Sequence, residues 1–282
     1  MKKLFAYSVI LFWAVMAALF VRREVIPRLY APPVRGYAGI RAYAQGHAGY
    51  RMGVTNTDGE RIGHAETIYH LLDNGDCEIT SEAVIDLAPR NGGESPAEKA
   101  SGPKHNTNLR LGSTVLVGPD NALKSFQIAC NTGLLSGAAN GAVRGDSLRV
   151  IVQVAGVKSE TELPITREDV VSSGIMALGA LPDLRVGQTW RMRMFNPFSF
   201  QFTTAYVTVK RRTRLLLRGH WYPVFEVETR HDVGKLTTWV DRSGNVLRER
   251  AFNFVFTREP LPHELTGRPG EALVSTPARA AK

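Results

Sequence analysis

Apolar positions follow two regimes along this chain: one unbroken run near the N-terminus, then a long tract in which apolar and polar residues alternate. Leu4 to Val21 is apolar apart from Tyr7 and Ser8, with Lys2 and Lys3 before it and Arg22 and Arg23 after it. As a helix, such a run rises roughly 27 Å, close to the thickness of a bilayer's hydrocarbon core. It ends Ala17-Ala18-Leu19-Phe20-Val21 without the small-residue spacing of a cleavage site, so the expectation is a retained anchor over 1–24 rather than a discarded export signal. Segment 25–48 is rich in Arg, Pro, Gly and Ala, and Pro27, Pro32 and Pro33 stop a regular helix, which predicts a stalk.

From Tyr50 the period becomes that of strands. Tyr50–Thr55, Arg61–Leu72 and Cys77–Leu87 are separated by Asp58-Gly59 and Asn74-Gly75, both hairpin turn signals, and predict an antiparallel meander. Pro89 to Asn106 lacks apolar periodicity and reads as a loop, after which Leu109–Val117, Ala122–Cys130 and Ser147–Ala155 predict further strands. Gly133, Gly137, Gly141 and Gly145 lie among small residues with no following Lys-Ser/Thr, so a flexible loop is expected there rather than a phosphate cradle. Thr166-Arg167-Glu168-Asp169 fits the start of a helix running to Leu178, before Gly179 and Pro182. Long strands are predicted at Gln188–Met194, Phe198–Lys210, Arg214–Arg230, Lys235–Asp241 and Asn245–Arg258, with a turn at Arg242–Asn245. In Trp221–Thr229, Phe225 and Val227 alternate with Glu226 and Glu228, as on a sheet with one buried and one wet face. These strands define one β domain over 49–259, followed by a Pro-, Gly- and Ala-rich tail, 260–282, expected to be disordered.

Charge changes the picture in one place. The net charge of +9 is concentrated late: residues 181–282 carry 17 basic and 9 acidic side chains. The excess is densest at Lys210, Arg211, Arg212 and Arg214, which read either as a solvated turn between two strands or as a contact for anionic headgroups or a partner protein. The cluster lacks the interleaved aromatics of single-strand binders, so no nucleic-acid partner is expected.

Candidate chemistry is sparse. The seven histidines form no H-x-x-x-H pair and none sits at ligand spacing from a cysteine, so no metal or other cofactor is expected. No G-x-S-x-G elbow occurs and Cys130 lacks the surroundings of a thiol nucleophile, which argues against an enzyme. Cys77 and Cys130 fit either one disulfide or two buried thiols. The aromatic pattern is more suggestive. Phe198, Phe200, Phe202 and Tyr206 would share one strand face, and Phe252, Phe254 and Phe256 another. If the sheet curls, these rings line either a packed core or an apolar cavity open to a lipid-like ligand.

Thr166 to Trp190, with Asp169, Ser172, Leu181 and Val186-Gly187-Gln188-Thr189-Trp190, followed by long strands and the hairpin Trp239 to Glu249, resembles bacterial envelope proteins of the LolA/LppX-like half-barrel type. The resemblance implies a mainly β (α+β) fold: a strongly curved antiparallel sheet with a helix on its concave face, and lipid or lipoprotein handling. With the anchor, it implies a single-pass inner-membrane protein with its C-terminal domain in the periplasm. Two functions follow as expectations. One is a non-enzymatic protein binding a lipid-like ligand or a lipidated partner. The other is an accessory module docking an envelope enzyme or assembly.

Overall fold

A computed structural model describes residues 12–21, 37, 40–87, 108–133, 136–166, 169–171, 181, 183–196, 201–232 and 234–260. Residues 12–20 are helical, with Phe12, Trp13 and Phe20 among their exposed side chains, whereas 1–11 lie outside the described residues. No helix among the described residues is long and apolar enough to cross a membrane. The tail 261–282 also lies outside them.

Among the described residues fifteen strands form one sheet: β1 Gly49–Thr55, β2 Arg61–Leu71, β3 Cys77–Asp86, β4 Asn108–Val117, β5 Leu123–Asn131, β6 Ser136–Arg144, β7 Ser147–Val154, β8 Val157–Pro164, β9 Asp169–Val171, β10 Thr189–Asn196, β11 Gln201–Leu217, β12 His220–His231, β13 Gly234–Val240, β14 Val246–Ala251 and β15 Phe254–Glu259. Their order is β8-β7-β6-β5-β4-β3-β2-β1-β15-β14-β13-β12-β11-β10-β9. All neighbours are antiparallel except β9 and β10. The chain therefore builds two meanders and joins them through β1 and β15, its first and last strands.

Alternation decides which face is buried. Val54, Ala65, Ile85, Val115, Phe126, Val150, Val207, Val227, Val240 and Phe256 turn into one apolar core that runs the length of the sheet. The turns are those the sequence announces: Gly59 and Gly75 take positive φ, and the Asp241 carboxylate accepts from the Ser243 and Asn245 amides.

Four expectations are corrected. The Gly133–Gly145 segment is no loop, because β6 pairs along β5 and β7. Its lack of side-chain bulk serves a neighbour: the Phe126 ring on β5 lies where a Cβ on Gly141 would stand. Helix-like capping after Thr166 is half realised, since Asp169 accepts from the Thr166 amide at 2.8 Å, yet Asp169–Val171 continues as β9 and residues 172–180 lie outside the described set. Pairing with β10 and two β-branched valines outweigh the cap there. A helix packed into the core lies at Ile40–Gly46, inside the predicted stalk: Tyr37, Ile40 and Tyr43 are buried in the core. Last, Asn245–Arg258 is a hairpin, not one strand, because the chain reverses at Phe252 and Asn253, with Phe252 at φ 51°.

The two cysteines do not form a disulfide. On β4, Cys77 faces Val117 and Cys130 faces Leu111. These positions are about 20 Å apart along a strand, far beyond the Cα separation a disulfide spans. Both are free thiols, and burial pushes both up in pKa. The Glu228 side is drier than alternation suggests: the residue is 8% exposed, its carboxylate held by Lys235 at 2.6 Å and Arg230 at 2.7 Å. Lys235, ahead of Arg230, holds it below the usual carboxylate range against the cost of burial.

Candidate ligand-binding site

The sheet rolls back on itself. Strand β5 is already paired on both edges, by β4 and β6, yet β9 at the end of the sheet lies against it. The contact is consequently face to face, made by side chains and not by a ladder. Phe126 on β5 meets Phe195 on β10 with ring centroids 5.0 Å apart, and Phe195 meets Phe202 on β11 edge-on at 5.7 Å. The Arg193 guanidinium lies over the Phe202 ring, 4.9 Å from its centroid. Its Nη1 donates to the Asp169 carboxylate at 3.0 Å. Asp169 is fully buried while Arg193 stays 37% exposed, so the pair carries a line of rings from the core out to a solvated cation. Such a pair is costly to break, because removing Arg193 leaves a carboxylate buried beside apolar side chains.

Among the described residues, Tyr37 caps the edge of β9 away from β10. The Tyr37 hydroxyl donates to the Val171 carbonyl at 2.9 Å and accepts from the Val171 amide at 2.8 Å. It satisfies both main-chain groups that a neighbouring strand would otherwise take. Below it the short helix sets Tyr43 against β1 and β2. Tyr43 stacks on His47 at 4.1 Å, meets Tyr69 edge-on at 5.5 Å and accepts from Arg258 at 3.0 Å. The Arg258 guanidinium also lies 5.5 Å from the centre of the Tyr50 ring. Burial pushes the Tyr50 hydroxyl up to about 12 and those of Tyr37 and Tyr69 upward as well, so at neutral pH all three remain neutral.

Only part of the predicted aromatic wall assembles. Phe202 packs at the seam, Phe254 packs partly into the core, and Phe256 is fully buried in it. Tyr206 is 58% exposed and Phe252 57% exposed, so neither lines the interior. Phe198 and Phe200 lie outside the described residues. Period-two reasoning fails for Phe252 because it sits in a turn, and for Tyr206 because Ala205, Val207 and Val209 supply the buried face of β11. Phe126, Phe195, Arg193 and Asp169 were missed. The one sequence signal for them is the run of small residues in β6, which leaves room for a large ring on a neighbouring strand.

The basic cluster is not a turn. Strand β11 runs unbroken through Lys210–Arg214 and turns only at Arg218-Gly219, where φ is 50° and 78°. A bulge at Lys210 shifts the register, so Arg211 faces Glu226, with which it pairs at 2.9 Å, while Arg212 faces Phe225 and Arg214 faces Pro223.

The molecule is thus a mainly β protein, one large antiparallel sheet rolled into a barrel-like form. No family model and no curated protein matches the chain. Among solved structures it is similar to a β-barrel-like protein of a domain of unknown function, DUF1849, from Brucella abortus, with 9% identity, 75% of this chain and 95% of that chain covered, and a TM-score of 0.42.

Proposed function

We propose that this chain is a non-enzymatic envelope protein, tethered to the inner membrane by Leu4–Val21 with its β domain in the periplasm, that binds a lipid-like ligand or a lipidated partner between β5 and β9–β10. The supporting observation is the side-chain seam Phe126–Phe195–Phe202. It is a place where two layers of the sheet can part without breaking a backbone ladder, and an acyl chain entering there exchanges ring contacts for equivalent apolar ones. Arg193, half in solvent at the mouth, suits an anionic head.

A diazirine-bearing fatty acid added to the full chain in nanodiscs tests the reading. Adducts on peptides carrying Phe126, Phe195 or Phe202 are expected, and more with the free carboxylate than with its methyl ester. Adducts confined to residues 1–24, or none at all, would overturn it.

A further inference from the structure

The β11–β12 hairpin has two unlike faces beyond the Lys210 bulge. On one face Leu215 and Val224 are buried against Leu247, with Leu217 and Trp239 packed beside them in a small cluster separate from the main core. The guanidinium of Arg218, at the hairpin's tip, donates to the Arg258 carbonyl at 3.3 Å, so the tip is tied to β15. The opposite face continues the side that enters the main core: Phe225 is still buried there, and past it toward the tip the side chains are exposed. In register across the two strands it presents Arg212 beside Phe225, Arg214 beside Pro223 and Leu216 beside Trp221. Arg212 stacks on the Phe225 ring at 4.9 Å, which fixes its direction. Leu216 is 47% exposed and Trp221 63% exposed. The hairpin's one carboxylate between Val209 and Glu226 is Glu226 itself, which belongs to the other face with Arg211.

A strip with an exposed indole and leucine toward its tip, and behind them two guanidiniums with no carboxylate partner among the described residues, combines the chemistry of two layers. Indoles favour the headgroup boundary, and guanidiniums favour lipid phosphates. We infer that this face seats on an anionic bilayer surface, with Trp221 and Leu216 at the headgroup–acyl boundary and Arg212 and Arg214 on the phosphates. The inference stands apart from the acyl-binding seam, which reaches β11 only at Phe202, near the strand's other end.

The test reads Trp221 directly in the full chain reconstituted into nanodiscs that contain brominated lipid, either phosphatidylglycerol or phosphatidylcholine. Subtracting the quenching of W221F from that of the wild type isolates this indole from Trp13, Trp190 and Trp239. The expected result is a Trp221 component several-fold larger in phosphatidylglycerol. Raising salt from about 0.1 to 1 M, where the Debye length falls from about 10 to 3 Å, should largely remove it. R212E/R214E should remove it too, and the salt titration carries the test even if that variant folds poorly. A component absent in both lipids overturns the inference, as does one equal in both and insensitive to salt. A silent Trp221 whose arm cross-links to a protein assigns the face to that protein and overturns the bilayer contact.

Discussion

Distant parts of the chain meet at two junctions, and the two are built on different forces. Between β1 and β15 the join is a ladder from Arg51 opposite Glu259 to Thr55 opposite Val255. Arg51 and Arg61 both clasp Glu259 across it, and Arg51 reaches Glu66 on β2 at 2.9 Å. Between β5 and β9–β10 the join is rings on rings, with one ion pair at its mouth. A ladder fixes register and cannot open by degrees. A ring seam has no register to lose, so it can separate and close again while every strand keeps its neighbours. The contrast locates adaptability at one side of the barrel and permanence at the other.

The comparison can be broken most sharply at Phe126. Phe126→Ala should cost about 3–5 kcal/mol, read by urea denaturation, because it removes the central ring and leaves a void over Gly141. Gly141→Ala tests the same contact from the other side. It should cost about 1–3 kcal/mol through overlap with the ring, and much less when combined with Phe126→Ala. An additive pair would show that the two residues do not share that space. Tyr37→Phe leaves the Val171 amide and carbonyl without the phenol, at about 1–3 kcal/mol, and should speed hydrogen exchange at Val171 far more than at Val54 on the ladder. Glu259→Gln should matter least, at about 0.5–1 kcal/mol near neutral pH. Arg61 holds the Glu259 carboxyl below the usual range, so its contribution is complete above the unfolded value of about 4.3 and is lost as pH falls through the lower folded one. Denaturation of the wild type and the variant should therefore converge in acid. A gap that persists there would remove the ion pair from the account of that junction.

Strands with their own bulk were legible in the sequence. Cys77–Leu87 carries Ile79, Val84, Ile85 and Leu87, Ser147–Ala155 carries Val150, Val152 and Val154 at alternate positions, and the two lie within a residue of β3 and β7. β6 was illegible because its contribution is room, and the ring that uses the room belongs to β5. β8 escaped notice for the opposite reason: Lys158, Glu160 and Glu162 give an edge strand little apolar signal, and its pairing shows in the Arg149 guanidinium on Glu160. The basic stretch of β11 read as a turn because local charge argues against a strand. Cross-strand partners, Glu226 for Arg211 and the Phe225 ring for Arg212, make it one. The seam was the least legible feature, since no local pattern tells that a strand paired on both edges will also be covered by the end of its own sheet.

An open sheet has two margins, and each is a template on which another polypeptide can polymerise. β8 discourages recruits with its alternating charges. β9 has no such charges along its three residues beyond Asp169, which is turned to Arg193, and among the described residues its outer margin at Val171 is capped by the Tyr37 phenol. Tyr37 is in this sense a stopper against fibre growth. Losing it would expose a dry, valine-lined margin that a second copy of the chain could extend.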